Sequence, residues 1–243
     1  MKHTHSPHSD LPIRFDDICY TANKVPILDR INLVFEAGPP TVLIGPNGSG
    51  KTSLLRIGMG LLAPSSGRVT WDGGGVDPTA GRGFMFQRPM MLRRTAAGNI
   101  RYALNAASIP RLRHDSRVRE LLALVGLEGL GGRPARRLSG GEQQLLALAR
   151  VLARDPSVLF LDEPTASLDP AATKAFEDVI QHIVGAGIKV VMSTHDLGEA
   201  RRLAGEVVLL HKGRVVETGA ASAFFTSPRS EEARKFLAGD LLV

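Results

Sequence analysis

The spacing of apolar positions switches along the chain between a strand period and a helix period. Residues 13–36 carry alternating and β-branched segments separated by a polar turn around 21–26, which predicts paired strands. A short apolar run, Thr41-Val42-Leu43-Ile44, meets a glycine-rich turn and then a helix-compatible stretch over 51–62. The turn Pro64-Ser65-Ser66-Gly67 leads to another strand over 68–72.

Residues 88–137 change character: they are rich in Ala, Leu and Arg, with Val118, Leu121, Leu122 and Val125 at helical spacing. Gly129, Gly131, Gly132 and Pro134 then stop the pattern. A helical subdomain over about 88–137 is the expectation. From Leu138 onward the pattern predicts a helix over 141–153, a strand over 158–161 and a helix over 171–185. A strand over 188–193, a helix over 197–204 and a hairpin through Lys212-Gly213-Arg214 follow. Strands alternating with helices imply an α/β fold with right-handed βαβ units and a mainly parallel sheet. Residues 1–12 read as a flexible tail and 13–243 as a single domain. The tail histidines His3, His5 and His8 lack the carboxylate or thiol set that would complete a metal site.

Composition narrows the class without choosing it. The chain has 243 residues, 43% hydrophobic and 22% charged, ordinary values for a globular domain. Aromatic content of 5% suits α/β better than an all-β fold. No apolar run approaches the roughly 18 residues a membrane span needs, and the polar start MKHTHSPHSD has no apolar signal core. The single cysteine, Cys19, excludes an intramolecular disulfide and fits a reducing compartment. The net charge of +6 lies largely in scattered arginines and reads as a solvated face, with no nucleic acid expected as a partner.

Chemistry enters with Gly45-Pro46-Asn47-Gly48-Ser49-Gly50-Lys51-Thr52, continued by Ser53, between the expected strand and helix. Glycines at this spacing let backbone N–H groups curl toward phosphate oxygens, and the helix N-terminus adds its positive end. Lys51 is placed to reach the β- and γ-phosphates of a nucleotide, and the Thr52 hydroxyl to bind Mg²⁺. The run Val158-Leu159-Phe160-Leu161-Asp162-Glu163 ends a buried strand in two carboxylates, at the edge where open α/β sheets bind ligands. Asp162 is the expected Mg²⁺ holder, and Glu163 the general base or orienter of the attacking water. These two motifs together describe a P-loop NTPase.

The run Leu138-Ser139-Gly140-Gly141-Glu142-Gln143-Gln144 is by itself a capping box, Ser139 with Glu142, opening a helix whose amides can bind an anion. It also resembles the signature of the ABC transporter ATPase family, and the resemblance extends over about 13–219. It implies an ABC cassette with an N-terminal antiparallel β subdomain and a helical insertion lobe. It further implies that Tyr20 stacks on adenine, that Gln87 senses Mg²⁺, takes part in catalysis and joins the sheet to the helical lobe, that Asp169 of Ser167-Leu168-Asp169 lies at a dimer interface, and that His195 contacts the γ-phosphate. Asp169 before Pro170 is equally a good helix N-cap, and both roles can coexist. The family pattern is departed from at Leu145-Leu146, where many members carry Arg-Val.

What the resemblance implies about function is an ATPase using ATP and Mg²⁺, with two subunits head to tail. ATP would lie between the phosphate loop of one and Ser139, Gly140, Gly141 and Glu142 of the other. The implied partners are a transmembrane permease and, indirectly, a periplasmic or extracellular solute-binding protein. The implied location is peripheral, on the cytoplasmic face of the inner membrane. Import is expected because 131–138 lacks the loop typical of many exporters. The segment 86–95 resembles cassettes of tungstate and related oxyanion importers. The rival classes are a soluble ABC ATPase acting on ribosomes or DNA repair complexes, and a P-loop kinase. The single cassette, without sustained heptads, disfavours the first; the signature and His195 disfavour the second.

Overall fold

The computed structural model describes residues 10–72 and 81–240. Strands β1 (Ile13–Ala22) and β2 (Val25–Phe35) pair antiparallel, as the alternating pattern requires. Asn23 and Lys24 join them with φ of 49° and 67°, the left-handed turn that suits the twist of two antiparallel strands. Then come β3 (Thr41–Ile44), helix α1 (Lys51–Met59) and β4 (Ser66–Trp71), which pairs on the other side of β1. The antiparallel sheet is ordered β2-β1-β4.

The second sheet adds β5 (Arg82–Met85), β6 (Val158–Asp162), β7 (Lys189–Ser193), β8 (Glu206–His211) and β9 (Arg214–Ala220). Its order is β5-β6-β7-β3-β8-β9, with β9 antiparallel to β8 and the other pairings parallel. Every residue of β3, β6 and β7 is buried, which is why their apolar residues run consecutively and do not alternate with polar ones. Helix α1 packs between the sheets. A Cβ on Gly58 would come within 3.0 Å of Phe15 on one side and Phe160 on the other. The helix stops at Met59, short of the expected 62, because Gly60 turns left-handed (φ 86°) and returns its N–H to the Arg56 and Ile57 carbonyls.

The helical lobe contains α2 (Ala96–Ala106) and α3 (His114–Leu124), packed on α4 (Gly140–Leu152). Residues 88–95 are irregular, and Thr95 caps the first helix through the Gly98 N–H. After β6 follow α5 (Pro170–Gly185) and α6 (Leu197–Leu203), close to the expected bounds. Two short helices, α7 (Ala221–Thr226) and α8 (Glu231–Ala238), were not legible, since each buries little more than one side chain. Strand β5 also escaped the pattern, being four residues with a glycine and an arginine.

The expected tail lies mostly outside the described residues, histidines included. Asp10, however, belongs to the folded body: it is buried and pairs with Arg82 at 3.0 Å. Arg82 lies over the Trp71 ring at 4.3 Å, and the Trp71 indole donates to Gly58 O at 2.8 Å. That chain of contacts clamps the antiparallel sheet to α1 and the parallel sheet.

Candidate active site

The chemistry-bearing residues gather at the C-terminal ends of the parallel strands β3, β5, β6 and β7. After β3 the backbone folds over itself through left-handed glycines. Gly45 has φ 142°, and a Cβ there would come within 2.0 Å of Leu210 O; Gly50 has φ 105°, and a Cβ would meet Leu28 at 2.5 Å. Gly50 is the N-cap of α1, with no side-chain cap and no acidic residue in the first turn. The positive end of that helix is therefore directed at the loop's concavity without a competing carboxylate. Ser53 lies half-buried in the same turn, and Pro46 and Asn47 form the outer rim. The Ser49 hydroxyl is buried with no hydrogen-bond partner among the described residues, an uncommitted donor inside the loop.

Lys51 is buried, and its ammonium spans the loop by donating to Gly45 O at 2.8 Å and Pro46 O at 3.1 Å. Burial holds its pKa below the usual lysine range, while the nearby Glu163 and Asp162 charges act in the opposite direction. A buried cation held only by neutral carbonyls is a receptor for an anion.

Next to it, Asp162 Oδ1 accepts hydrogen bonds from Thr52 Oγ1 at 2.9 Å and from Ser193 Oγ at 2.9 Å. Strands β6 and β7 are paired with Asp162 opposite Ser193, which fixes the second of these bonds. Glu163, the next residue, has φ 43°, a left-handed backbone that costs a non-glycine residue about 1–2 kcal/mol. It is held there by its N–H bonded to Ser193 O at 3.1 Å and to Ser193 Oγ at 3.0 Å. The twist turns the carboxylate toward two groups: Glu163 Oε2 lies 3.3 Å from Gln87 Nε2 and 3.1 Å from His195 Nδ1.

Of the sequence-predicted residues, Lys51, Thr52, Gln87, Asp162, Glu163 and His195 thus converge around one space. Outside this space and the loop that borders it lie Ser139, Gly140, Gly141, Glu142, Asp169 and Tyr20. Ser139 and Glu142 bond each other, through Ser139 N to Glu142 Oε2 at 2.7 Å and Glu142 N to Ser139 Oγ at 3.2 Å, closing the capping box. Gly141 packs on α5, where a Cβ would come within 2.7 Å of the Ala172 Cβ, whereas a Cβ on Gly140 would meet nothing within 4 Å. Asp169 caps α5 by accepting from the Ala172 N–H at 2.8 Å. Tyr20 is partly buried against the core, opposite Leu28 in β2, the residue that abuts Gly50.

Three residues in this neighbourhood were not singled out from the sequence. Ser193 orients both acidic residues; its only signal is a hydroxyl ending an otherwise apolar strand. Glu199, buried in α6, accepts from Thr165 Oγ1 at 2.7 Å, tying the loop after β6 to the helix that follows His195. Gln144, in the signature-like run, donates from Nε2 to Gln87 O at 3.1 Å and to Pro164 O at 2.6 Å.

A family profile described as "ABC transporter" matches residues 28–166. The taurine import ATP-binding protein TauB of Pseudomonas putida is 43% identical over 203 residues, covering 82% of this chain and 78% of that protein. The methionine import ATP-binding protein MetN of Bradyrhizobium diazoefficiens is 40% identical over 243 residues, covering 93% and 70% respectively. Among solved structures, cbiO1 from Clostridium perfringens, part of the ABC transporter complex cbiONQ, superposes with a TM-score of 0.81 at 28% identity. That match covers 90% of this chain and 92% of that one.

Proposed function

Since the chain belongs to the ABC transporter family, we propose that it is the ATP-hydrolysing subunit of an importer and works as a dimer beneath a separate permease. The observation that carries the reading is the convergence of Gln87 and His195 on Glu163 Oε2, beside the Thr52–Asp162–Ser193 set and the Lys51 loop.

In this reading the loop's N–H groups, the α1 N-terminus and Lys51 take the β- and γ-phosphates of ATP. The uncommitted Ser49 hydroxyl adds one more donor. Glu163 orients the attacking water and accepts its proton, and His195 and Gln87 hold the carboxylate in position. The hard oxygen donors Thr52 Oγ1 and Asp162 fit Mg²⁺ and would hold it, with Gln87 as a further candidate. When bound, the ion neutralises charge on the β- and γ-phosphates. Everything else falls to the side chains already described.

The signature turn carries the dimer proposal. Ser139, Gly140, Gly141 and Glu142 form a capped helix N-terminus. The open space before Gly140 leaves room for a group from outside the chain. Asp169 stands at the start of α5, where Gly141 packs, and would lie on the same face. Tyr20 would stack on adenine from the antiparallel sheet. ATP bound between two such surfaces favours the closed pair, and its hydrolysis removes the group that held it closed.

Beside Gln87 large apolar side chains are exposed among arginines: Phe86 is half exposed under Arg56, Met90 is 82% exposed, and Tyr102 on α2 lies under Arg94. This is a docking surface for a permease loop. Among the described residues no helix is long and apolar enough to cross a membrane, so the membrane path belongs to that second chain in the proposed complex. Such a complex places this subunit on the cytoplasmic face of the membrane, with a solute-binding protein acting from the far side. Cargo is not set by this subunit. Relatives named for taurine and for methionine import are similarly alike. The resemblance of 86–95 to tungstate and oxyanion cassettes therefore follows the permease contact and proposes an oxyanion only through it.

The test is a mild-detergent pull-down of Glu163→Gln with MgATP from native membranes, followed by mass spectrometry. Recovery of a multi-span permease supports the reading. Recovery of ribosomal or DNA-repair proteins without a permease would leave the ATPase chemistry standing and replace the transport assignment.

A further inference from the structure

Gln144 sits on α4 five residues beyond the cap residue Ser139, and its side chain is almost fully buried. Its amide nitrogen bonds two carbonyls that are remote in sequence, Gln87 O at 3.1 Å and Pro164 O at 2.6 Å. Gln87 in turn reaches Glu163 Oε2 with its own amide at 3.3 Å, and Glu163 is joined covalently to Pro164. The contacts close a ring: Gln144 amide, Gln87 backbone, Gln87 side chain, Glu163 carboxylate, Glu163 backbone, Pro164 carbonyl, and back to Gln144.

The ring has a physical consequence. Glu163 is held in a left-handed backbone that it would leave if released. On its N-terminal side Ser193 holds it. On its C-terminal side Pro164 has no N–H, so the carbonyl is that residue's only backbone handle, and Gln144 bonds it. Gln144 Oε1 is buried with no hydrogen-bond partner among the described residues, so the amide serves only as a donor to these two carbonyls. A thioether of the same length would fill the space and leave both carbonyls without their donor.

We propose that Gln144 is a positioning residue for hydrolysis: it fixes the distance between Gln87 and Glu163 and so ties the signature helix to the catalytic carboxylate. This rests on the role given to Glu163 above. A shift of α4 relative to the parallel sheet pulls on Gln87 and Pro164 together, and the carboxylate moves with them. One helix then reports to one reaction at two points in its first turns: Ser139 to the dimer partner, Gln144 to the chain's own Glu163.

The test uses the purified subunit, steady-state ATPase kinetics and thermal unfolding. Gln144→Met is expected to lower kcat roughly 10- to 100-fold, the scale of a misplaced catalytic group, with KM for ATP and the unfolding midpoint near wild type. Gln144→Lys, which keeps donors facing both carbonyls, is expected to recover most of the turnover. In a Glu163→Gln background, Gln144→Met is expected to add no further loss, because both changes act on one step. If Gln144→Met does not fold, Gln144→Asn reads the same quantity, its amide being one methylene short of both carbonyls. Wild-type kcat in Gln144→Met, or a loss confined to KM and the unfolding midpoint, overturns the proposal while leaving Glu163's role intact. Wild-type turnover by Glu163→Gln overturns both.

Discussion

The side-chain amide of Gln87 lies 3.3 Å from the carboxylate of Glu163, although 76 residues separate them in the chain. The cause is strand register. Met85 in β5 is paired with Leu161 in the parallel neighbour β6, so Gln87 and Glu163, each two residues beyond its member of that pair, leave the sheet at the same level. Parallel pairing delivers both side chains to one edge, and the left-handed turn at Glu163 aims its carboxylate back across the gap.

Glu163→Gln keeps the side chain's shape and removes its basicity. Turnover at saturating MgATP should fall roughly 10²- to 10⁴-fold while ATP is still bound, the range for loss of a general base. Phosphate release measures the first effect. Size-exclusion chromatography with MgATP should show an accumulated dimer. Wild-type turnover would sink the role given to Glu163.

Asp162 touches Thr52 and Ser193 but not the carboxylate partners of Glu163. Asp162→Asn should therefore raise the Mg²⁺ concentration for half-maximal activity roughly 10- to 100-fold, as changes in or around a metal's ligand set do. A magnesium titration at fixed ATP reads this directly. An unchanged half-point would remove Asp162 from the ion's ligand set.

Burial, before any other cause, pushes the Glu199 carboxyl above its usual range; Glu177 and Asp196 add to the rise, and the Thr194 and Thr165 hydroxyls oppose it. A folded-state pKa above the unfolded value of 4.5 means that folding takes up a proton. The stability contributed by this group is then complete below 4.5 and is lost as pH rises through the folded value. Glu199→Gln keeps an acceptor for Thr165 and cannot ionise. Its unfolding free energy, measured by urea titration from pH 4.5 toward neutrality, should decline less than that of the wild type. Parallel curves for the two proteins would exclude Glu199 as the titrating group.

The Asp10–Arg82 pair is buried on both sides, with Trp71 stacked on the guanidinium. Arg82→Met should destabilise the fold by about 3–5 kcal/mol, because it removes one partner of a buried ion pair together with its packing on Trp71. Adding Asp10→Leu should return part of that loss. Chemical denaturation of the single and double variants checks both. Equal stability of the two would show that the cost lies in the arginine's packing and not in its charge.

The elements legible in the sequence were those whose cause is local. Unbroken apolar runs at 41–44 and 158–161 announced buried parallel strands because both their faces are covered. Ser139 with Glu142, and Asp169 before Pro170, announced helix starts because a cap is satisfied within a few residues. The lower limits of legibility were α7, α8 and β5, whose few buried side chains get their meaning from neighbours distant in sequence.

The candidate site divides along the same line. The sequence by itself determined the glycine-rich loop, Lys51, the acidic pair and the capped signature helix, since each is a short-range arrangement of backbone and side chain. Only the tertiary structure decided that Gln87 and His195 meet at the Glu163 carboxylate, that Ser193 bonds the Glu163 backbone, that Gln144 bonds the Gln87 and Pro164 carbonyls, and that Asp10 belongs to the core. Those contacts depend on strand order and register, and a register set by packing two sheets around α1 leaves no mark at the spacing of neighbouring residues.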